Sequence, residues 1–224
     1  MQEKLEKEHW ETTMKSGQVK RSPNHPVVEF YCKQRIDYMK KYIDFELIKT
    51  ALDVGAGTGF SSFHFSKNIT ITDVDFASRL MLLNPTKNKI QASAFSLPFK
   101  SNSFDLVFGW DFLHHIPNSI DVVKEMARVT KNHLVLIEPN RNNPVQFLYG
   151  LSKPSERGTL KFHTGKLLEL QRKINFELIA CDQIGWLFAG PTPTFLLKIY
   201  KHLPFVQQSG IGCIMICKKH KDHN

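Results

Sequence analysis

The 224-residue chain predicts an α/β fold built on a mostly parallel sheet. From residue 50 onward, short apolar runs alternate with stretches of helical spacing, the pattern of strands joined by crossover helices. The first of these runs breaks into Gly55, Gly57 and Gly59, a turn that makes a nucleotide-sized shelf at a strand's carboxyl end. A carboxylate, Asp75, follows 20 residues after Gly55, near the end of the next apolar run.

Ahead of the sheet, residues 3 to 15 are polar and loosely amphipathic and predict a helix. Ser22, Pro23, Asn24 and Pro26 break the chain. Val27, Phe30, Tyr31, Gln34, Tyr38 and Ile43 then fall near helical spacing, which predicts a second helix over 27 to about 42. A first strand is expected at 50 to 54, followed by the glycines and a helix-compatible run at 60 to 66. A second strand at 69 to 73, a helix at 77 to 83 and a weaker strand at 89 to 92 come next. Residues 104 to 110 read as a fourth strand, 119 to 130 as a helix and 133 to 138 as a fifth strand. Their apolar make-up fits strands covered on both faces. Pro139, Pro144 and Pro154 then punctuate an irregular stretch before a helix at 164 to 173. Residues 176 to 184 and 211 to 218 read as further strands, separated by an exposed loop at 190 to 193 and a short helix at 194 to 202.

This length encloses one well-buried domain with a small lid and is too short for two full ones. The reading divides it into an N-terminal helical cap over 1–45 and a main domain over 46–224, with a lid-like insertion within 139–203. The charged N-terminus does not read as a secretory signal. No apolar run approaches the ~20 residues that span a bilayer. Cys32, Cys181, Cys213 and Cys217 form no Cys-x-x-Cys pair, which predicts buried, reduced thiols in a cytoplasmic protein. The formal charge of +9 fits either a polyanionic partner such as RNA or a lysine-rich surface. Apart from Lys218, Lys219 and Lys221 the cations are scattered, which favours the surface reading. No combination of His, Cys and Asp has metal-ligand spacing, so no metal is expected.

The glycine spacing differs from the dinucleotide fingerprint Gly-x-Gly-x-x-Gly, because Gly59 comes two residues after Gly57 and Phe60 takes the place of the third glycine. Asp53 precedes the turn, where a carboxylate suits a ligand with an ammonium group better than a pyrophosphate. Both features disfavour a nicotinamide oxidoreductase. The pattern Asp53-x-Gly55-x-Gly57-x-Gly59 resembles the first motif of class I S-adenosylmethionine-dependent methyltransferases. A carboxylate about 20 residues past the first glycine can accept from both ribose hydroxyls. Asp75 fits that place, with Asp73 as the competing candidate and a helix cap as the alternative role. Leu97-Pro98-Phe99, Ser103 to Val107, Leu113-His114-His115-Ile116-Pro117 and Glu125 to Val129 extend the resemblance to the methyltransferase type 11 branch, which includes ubiquinone and menaquinone biosynthesis enzymes.

The resemblance, covering about 50 to 140, implies a Rossmann-like, seven-stranded, mostly parallel sheet with an antiparallel edge strand and a small helical lid. It implies S-adenosyl-L-methionine as cofactor, contacted by Asp53, Gly55, Ala56, Gly57, Thr58 and Gly59. Asp75, Phe76, Ser93, Ala94, Phe95, Trp110, Asp111 and His115 complete the implied set. Two positions depart from the family: Ser93 stands where an aspartate usually takes the adenine amino group, and Lys131-Asn132-His133 replaces a glycine-rich turn. Methyl transfer from a sulfonium needs alignment more than acid or base. His115 and Glu138 are the candidates for a base, and neither is obligatory. Tyr31 and Arg35 are placed at the site or, for Arg35, in solvent. The acceptor is expected to be a small apolar or aromatic molecule, held by residues such as Trp10, Phe30, Tyr31, Phe147, Tyr149, Trp186, Phe188 and Phe195. RNA or protein as acceptor, and a cofactor-binding module without transfer, are the alternatives.

Overall fold

A computed structural model describes residues 21–65 and 67–220. The helix expected at 3 to 15, with Trp10, lies outside the described residues. The sheet is seven-stranded: β1 Thr50–Val54, β2 Thr70–Asp75, β3 Asn88–Gln91, β4 Phe104–Trp110, β5 Thr130–Pro139, β6 Phe176–Ile184 and β7 Gly212–Lys219. Its order is β3-β2-β1-β4-β5-β7-β6. The first five strands pair in parallel, and β7 runs antiparallel to both neighbours. The antiparallel strand is thus inserted one place in from the edge, with β6 outermost.

The helices are α1 Pro26–Met39, α2 Ser78–Leu83, α3 Ser119–Val129, α4 Pro144–Ser152, α5 Thr164–Gln171 and the single turn α6 Leu197–Tyr200. Two of them start on the same chemistry. His25 Nδ1 accepts from the Val27 amide ahead of α1, and the Asn143 side chain accepts from Gln146 ahead of α4. In each case proline takes the first helical position, where its missing N–H costs nothing.

Alternation along the strands splits the core between the sheet's two faces. Leu52, Val54, Val107, Leu134, Leu136 and Met215 pack with Val122, Val123 and Met126 of α3 and Leu167 and Leu170 of α5. Leu106, Phe108, Trp110, Val135, Ile137 and Ile214 pack with Val27, Tyr31, Cys32, Ile36 and Met39 of α1. Every residue of β4 is buried, which is why its sequence is apolar without alternation apart from Asp105, whose carboxylate accepts from the Lys49 and Thr50 amides. Truncating Phe108 to alanine would cost about 3–5 kcal/mol on this scale.

One expected helix does not form. The run at 60 to 66 yields only a 3-10 turn, Ser62–His64. The Ser61 hydroxyl donates to Asp53 Oδ2 and the Ser62 hydroxyl to Asp73 Oδ2, so the segment is pinned to the ends of β1 and β2. Local side-chain bonding of this kind competes with helix formation.

Candidate active site

The turn after β1 is built against the end of β2. The Gly55 and Ala56 amides both donate to Val74 O, at 2.8 and 3.1 Å. Gly55 has φ +77°, and a Cβ there would lie 2.4 Å from the Phe112 ring. Gly57, at φ +52°, differs: a Cβ would meet only Leu80 and Asp75, at 3.8 and 3.9 Å, because this peptide faces a crevice. Its amide donates to Asp75 Oδ2 at 2.7 Å, and the Ala77 amide donates to Oδ1 at 2.7 Å. Asp75 therefore braces the entry to α2 and walls the crevice at once.

The crevice lies at the carboxyl ends of β1, β2 and β4, the switch point of an open α/β sheet. It encloses about 100 Å³ and is lined by Gly55, Ala56, Gly57, Thr58, Asp75, Phe76, Ser93, Ala94, Phe95, Trp110, Asp111 and His115. Those are the expected cofactor residues apart from Asp53 and Gly59. Phe60, Val74, Ala77, Leu80, Ala92, Phe112 and Ile116 complete the wall. Of these, Phe60 carried a signal as the residue closing the glycine run, and Ile116 as part of the Leu113 to Pro117 motif. The Ser93 hydroxyl accepts from the Phe95 amide at 3.2 Å, which holds the turn that presents Ala94 and Phe95.

Several residues stand elsewhere than expected. Asp53 alternates with Leu52 and Val54, so its side chain points beneath the turn, where it is 1% exposed and does not line the crevice. Burial, then the neighbouring Asp73, pushes its carboxyl well above the ordinary range. Asp73, fully buried, is held by Ser62, Asn84 and Thr86 and does not line the crevice. Gly59 packs against Asn84, 2.3 Å from where a Cβ would stand, and also misses the crevice. Glu138, expected as a base, is fully buried and spent on structure. It accepts from the Phe112, Leu113 and His114 amides at 3.1, 2.8 and 3.2 Å and lies 2.7 Å from His114 Nδ1. Arg35 is neither solvated nor on the crevice: its guanidinium lies 3.4 Å over the Tyr31 ring, and Nη1 donates to Tyr31 O.

A wider cavity of about 820 Å³ adjoins the crevice. Thr58, Phe60, Asp111 and His115 line both. The rest of its wall includes Arg21, Val28 and Tyr31 from α1 and the segment before it, Gln146, Tyr149 and Ser152 to Glu156 from α4 and the following turn, Leu187 to Pro191, and His114, Pro139, Ile211 and Gly212. Among the expected acceptor aromatics it uses Tyr31, Tyr149 and Phe188. Phe147, Trp186 and Phe195 are exposed away from it, and Phe30 packs on the α1 core. The lining is also more polar than expected, with Arg21 and Lys153 present.

Asp111 ends β4 at φ +55°, a conformation Asp tolerates better than most residues. The Tyr31 hydroxyl donates to its Oδ2 at 2.8 Å. Burial, then the Glu138 carboxylate, pushes Asp111 up to about 6. Burial alone would lower His114, but Glu138, Glu156 and Asp111 outweigh it and raise the ring to about 10. His114, His115 and Glu156 gather where the two cavities meet, a cluster that sequence spacing did not reveal.

This strand order is that of the Rossmann-like α/β fold of class I methyltransferases. Residues 52–137 match the family model for a methyltransferase domain. Over that stretch the chain is similar to methyltransferase domains. The phosphatidylethanolamine N-methyltransferase of Cereibacter sphaeroides is 32% identical over 90 residues, 36% of this chain and 44% of that protein. The demethylmenaquinone methyltransferase of Oceanobacillus iheyensis is 30% identical over 110 residues, 43% of this chain and 46% of that protein. The matches thus span less than half of these curated relatives. A crystal structure of a Thermotoga maritima S-adenosylmethionine-dependent methyltransferase shares the fold, with TM-score 0.67 and 19% identity over 87% of this chain and 91% of that one. No helix among the described residues is long and apolar enough to cross a membrane.

Proposed function

We propose that the protein transfers a methyl group from S-adenosylmethionine to a small molecule held in the wider cavity. The observation that carries this reading is the shared wall of Thr58, Phe60, Asp111 and His115, which sets a donor crevice directly against an acceptor cavity. The bound cofactor supplies an electrophilic methyl on a sulfonium. Asp75, braced by two backbone amides, would accept from the ribose hydroxyls, and the bare Gly57 peptide lets the ligand lie against the turn. Ala94 and Phe95 would lie toward the adenine, and Trp110 and Asp111 toward the methionine part, as the resemblance implies.

Arg21, Val28 and Tyr31, together with residues between 139 and 191, would supply the acceptor walls. Tyr31, Tyr149 and Phe188 favour an acceptor with an apolar or aromatic body, and Arg21 and Lys153 favour one that also bears an acidic or polar group. Alignment of donor and acceptor is the main contribution of the walls, since approximation alone supplies roughly 7–11 kcal/mol in favourable cases. His115, which lines both cavities, would take a proton from an acceptor that carries one.

The test is a screen with methyl-labelled cofactor against separated metabolite and RNA fractions. Label in a small-molecule fraction is the expected result. Label only in RNA, with salt-dependent retention, would move the acceptor to nucleic acid. Cofactor binding without transfer to any fraction would reduce the protein to a binding module.

A further inference from the structure

We propose that His114, His115 and Glu156 form a binding site for one borderline divalent cation, of the zinc, cobalt or nickel type, at the junction of the two cavities. Each side chain offers one ligand atom, and these atoms all lie within 4.8 Å of one another. The His114 Nε2 to Glu156 Oε2 distance is 3.7 Å, and the two histidine rings have centroids 4.0 Å apart. Two ligands about 2.1 Å from a shared tetrahedral ion stand about 3.4 Å apart, so small side-chain shifts complete the set. Two imidazole nitrogens with one carboxylate oxygen suit metals of intermediate softness better than calcium or magnesium.

The surroundings are built to hold that geometry. His114 Nδ1 lies 2.7 Å from Glu138 Oε2, both side chains being buried, and three backbone amides fix the Glu138 carboxylate in turn. A carboxylate on one ring nitrogen directs the other nitrogen outward as a ligand, the outer-shell arrangement found around protein-bound metals. Glu156 is delivered by the 3-10 segment Pro154–Lys161, which packs directly on the Leu113–His115 turn. Gly158 makes this approach possible, since a Cβ there would fall 1.7 Å from His114 O. All three ligand residues line the wider cavity, with Asp111 beside them, so the remaining coordination positions face the place where an acceptor oxygen or water would sit.

A plain His114–Glu156 ion pair is the competing account, and metal binding separates the two. Full-length protein stripped with EDTA is titrated with Zn²⁺ by calorimetry and with Co²⁺ by visible absorption. The expected result is one ion per chain and a Co²⁺ spectrum of low coordination number. Glu156→Gln and His115→Ala should each weaken Zn²⁺ binding by about tenfold or more, the scale that outer-shell partners alone command. His202→Gln, at an exposed position, should leave it unchanged. Circular dichroism melts verify that each variant is folded. Absence of binding up to millimolar Zn²⁺, or binding that survives both Glu156→Gln and His115→Ala, overturns the proposal. The readout is the ion alone, so failure here leaves the methyl-transfer reading standing, and failure of that reading leaves this site untouched.

Discussion

The Gly57 amide donates to Asp75 Oδ2 at 2.7 Å, which locks the turn after β1 to the end of β2 as one rigid corner. The proposed cofactor recognition and local stability meet at that bond, and the neighbouring glycines separate the two effects.

Gly57→Ala forces a side chain into φ +52° but meets no atom closer than 3.8 Å. The left-handed conformation costs about 1–2 kcal/mol, and the added methyl enters the crevice. Gly55→Ala drives a Cβ to 2.4 Å from the Phe112 ring, so steric strain adds to the same conformational cost. Urea denaturation should therefore rank Gly55→Ala as the more destabilised, while calorimetry shows Gly57→Ala to lose S-adenosylmethionine affinity with the smaller loss of stability.

Asp53 carries a pH signature. Burial and Asp73 raise its folded-state pKa, so the folded state holds a proton that the unfolded chain releases. Its stabilising contribution is full below the unfolded value of about 3.9 and is lost as pH rises toward the folded value. Asp53→Asn removes this loss. The melting temperature of the variant relative to wild type should therefore climb between pH 4 and 8, with about 2–4 °C for each kcal/mol relieved. A constant difference across that range would show that Asp53 is not protonated in the fold.

Removing the Tyr31 hydroxyl deprives half-buried Asp111 of a partner at 2.8 Å. Tyr31→Phe should lower stability by about 1–3 kcal/mol near neutral pH. Chemical denaturation at pH 7.5 and pH 5 checks it: the penalty should shrink at pH 5, below the value of about 6 to which Asp111 is raised.

Tyr149 lines only the wider cavity. Tyr149→Ala should raise the KM for the acceptor by about tenfold, the loss expected of a packed aromatic contact, and leave cofactor affinity within about twofold. Steady-state kinetics with the acceptor recovered from the labelling screen, beside cofactor calorimetry, measures both.

Much of the fold was legible because the sequence carries local signals for it. β4 and β5 read as strands from their apolar runs, and Asp75 from its distance to Gly55. What escaped depends on direction rather than identity. Whether Asp53 faces the ligand or the underside of the turn is fixed by which sheet face α1 covers, and motif spacing does not carry that information. Glu138 reads as a carboxylate at the mouth of the sheet, yet its partners at 112 to 114 are visible only once β4 and β5 lie side by side. Glu156 is 42 residues beyond His114, and only the close approach at Gly158 brings them together. Aromatic content likewise did not tell Tyr149, on the cavity, from Phe195, which is 70% exposed.

The most direct measurement is calorimetric titration of wild type and Asp75→Asn with S-adenosylmethionine. The corner at Gly57 and Asp75 predicts a 1:1 complex for wild type, weakened about 10- to 100-fold in the variant, as for lost hydrogen bonds to a charged group. An equal affinity in both proteins, or no heat of binding in wild type, would contradict it.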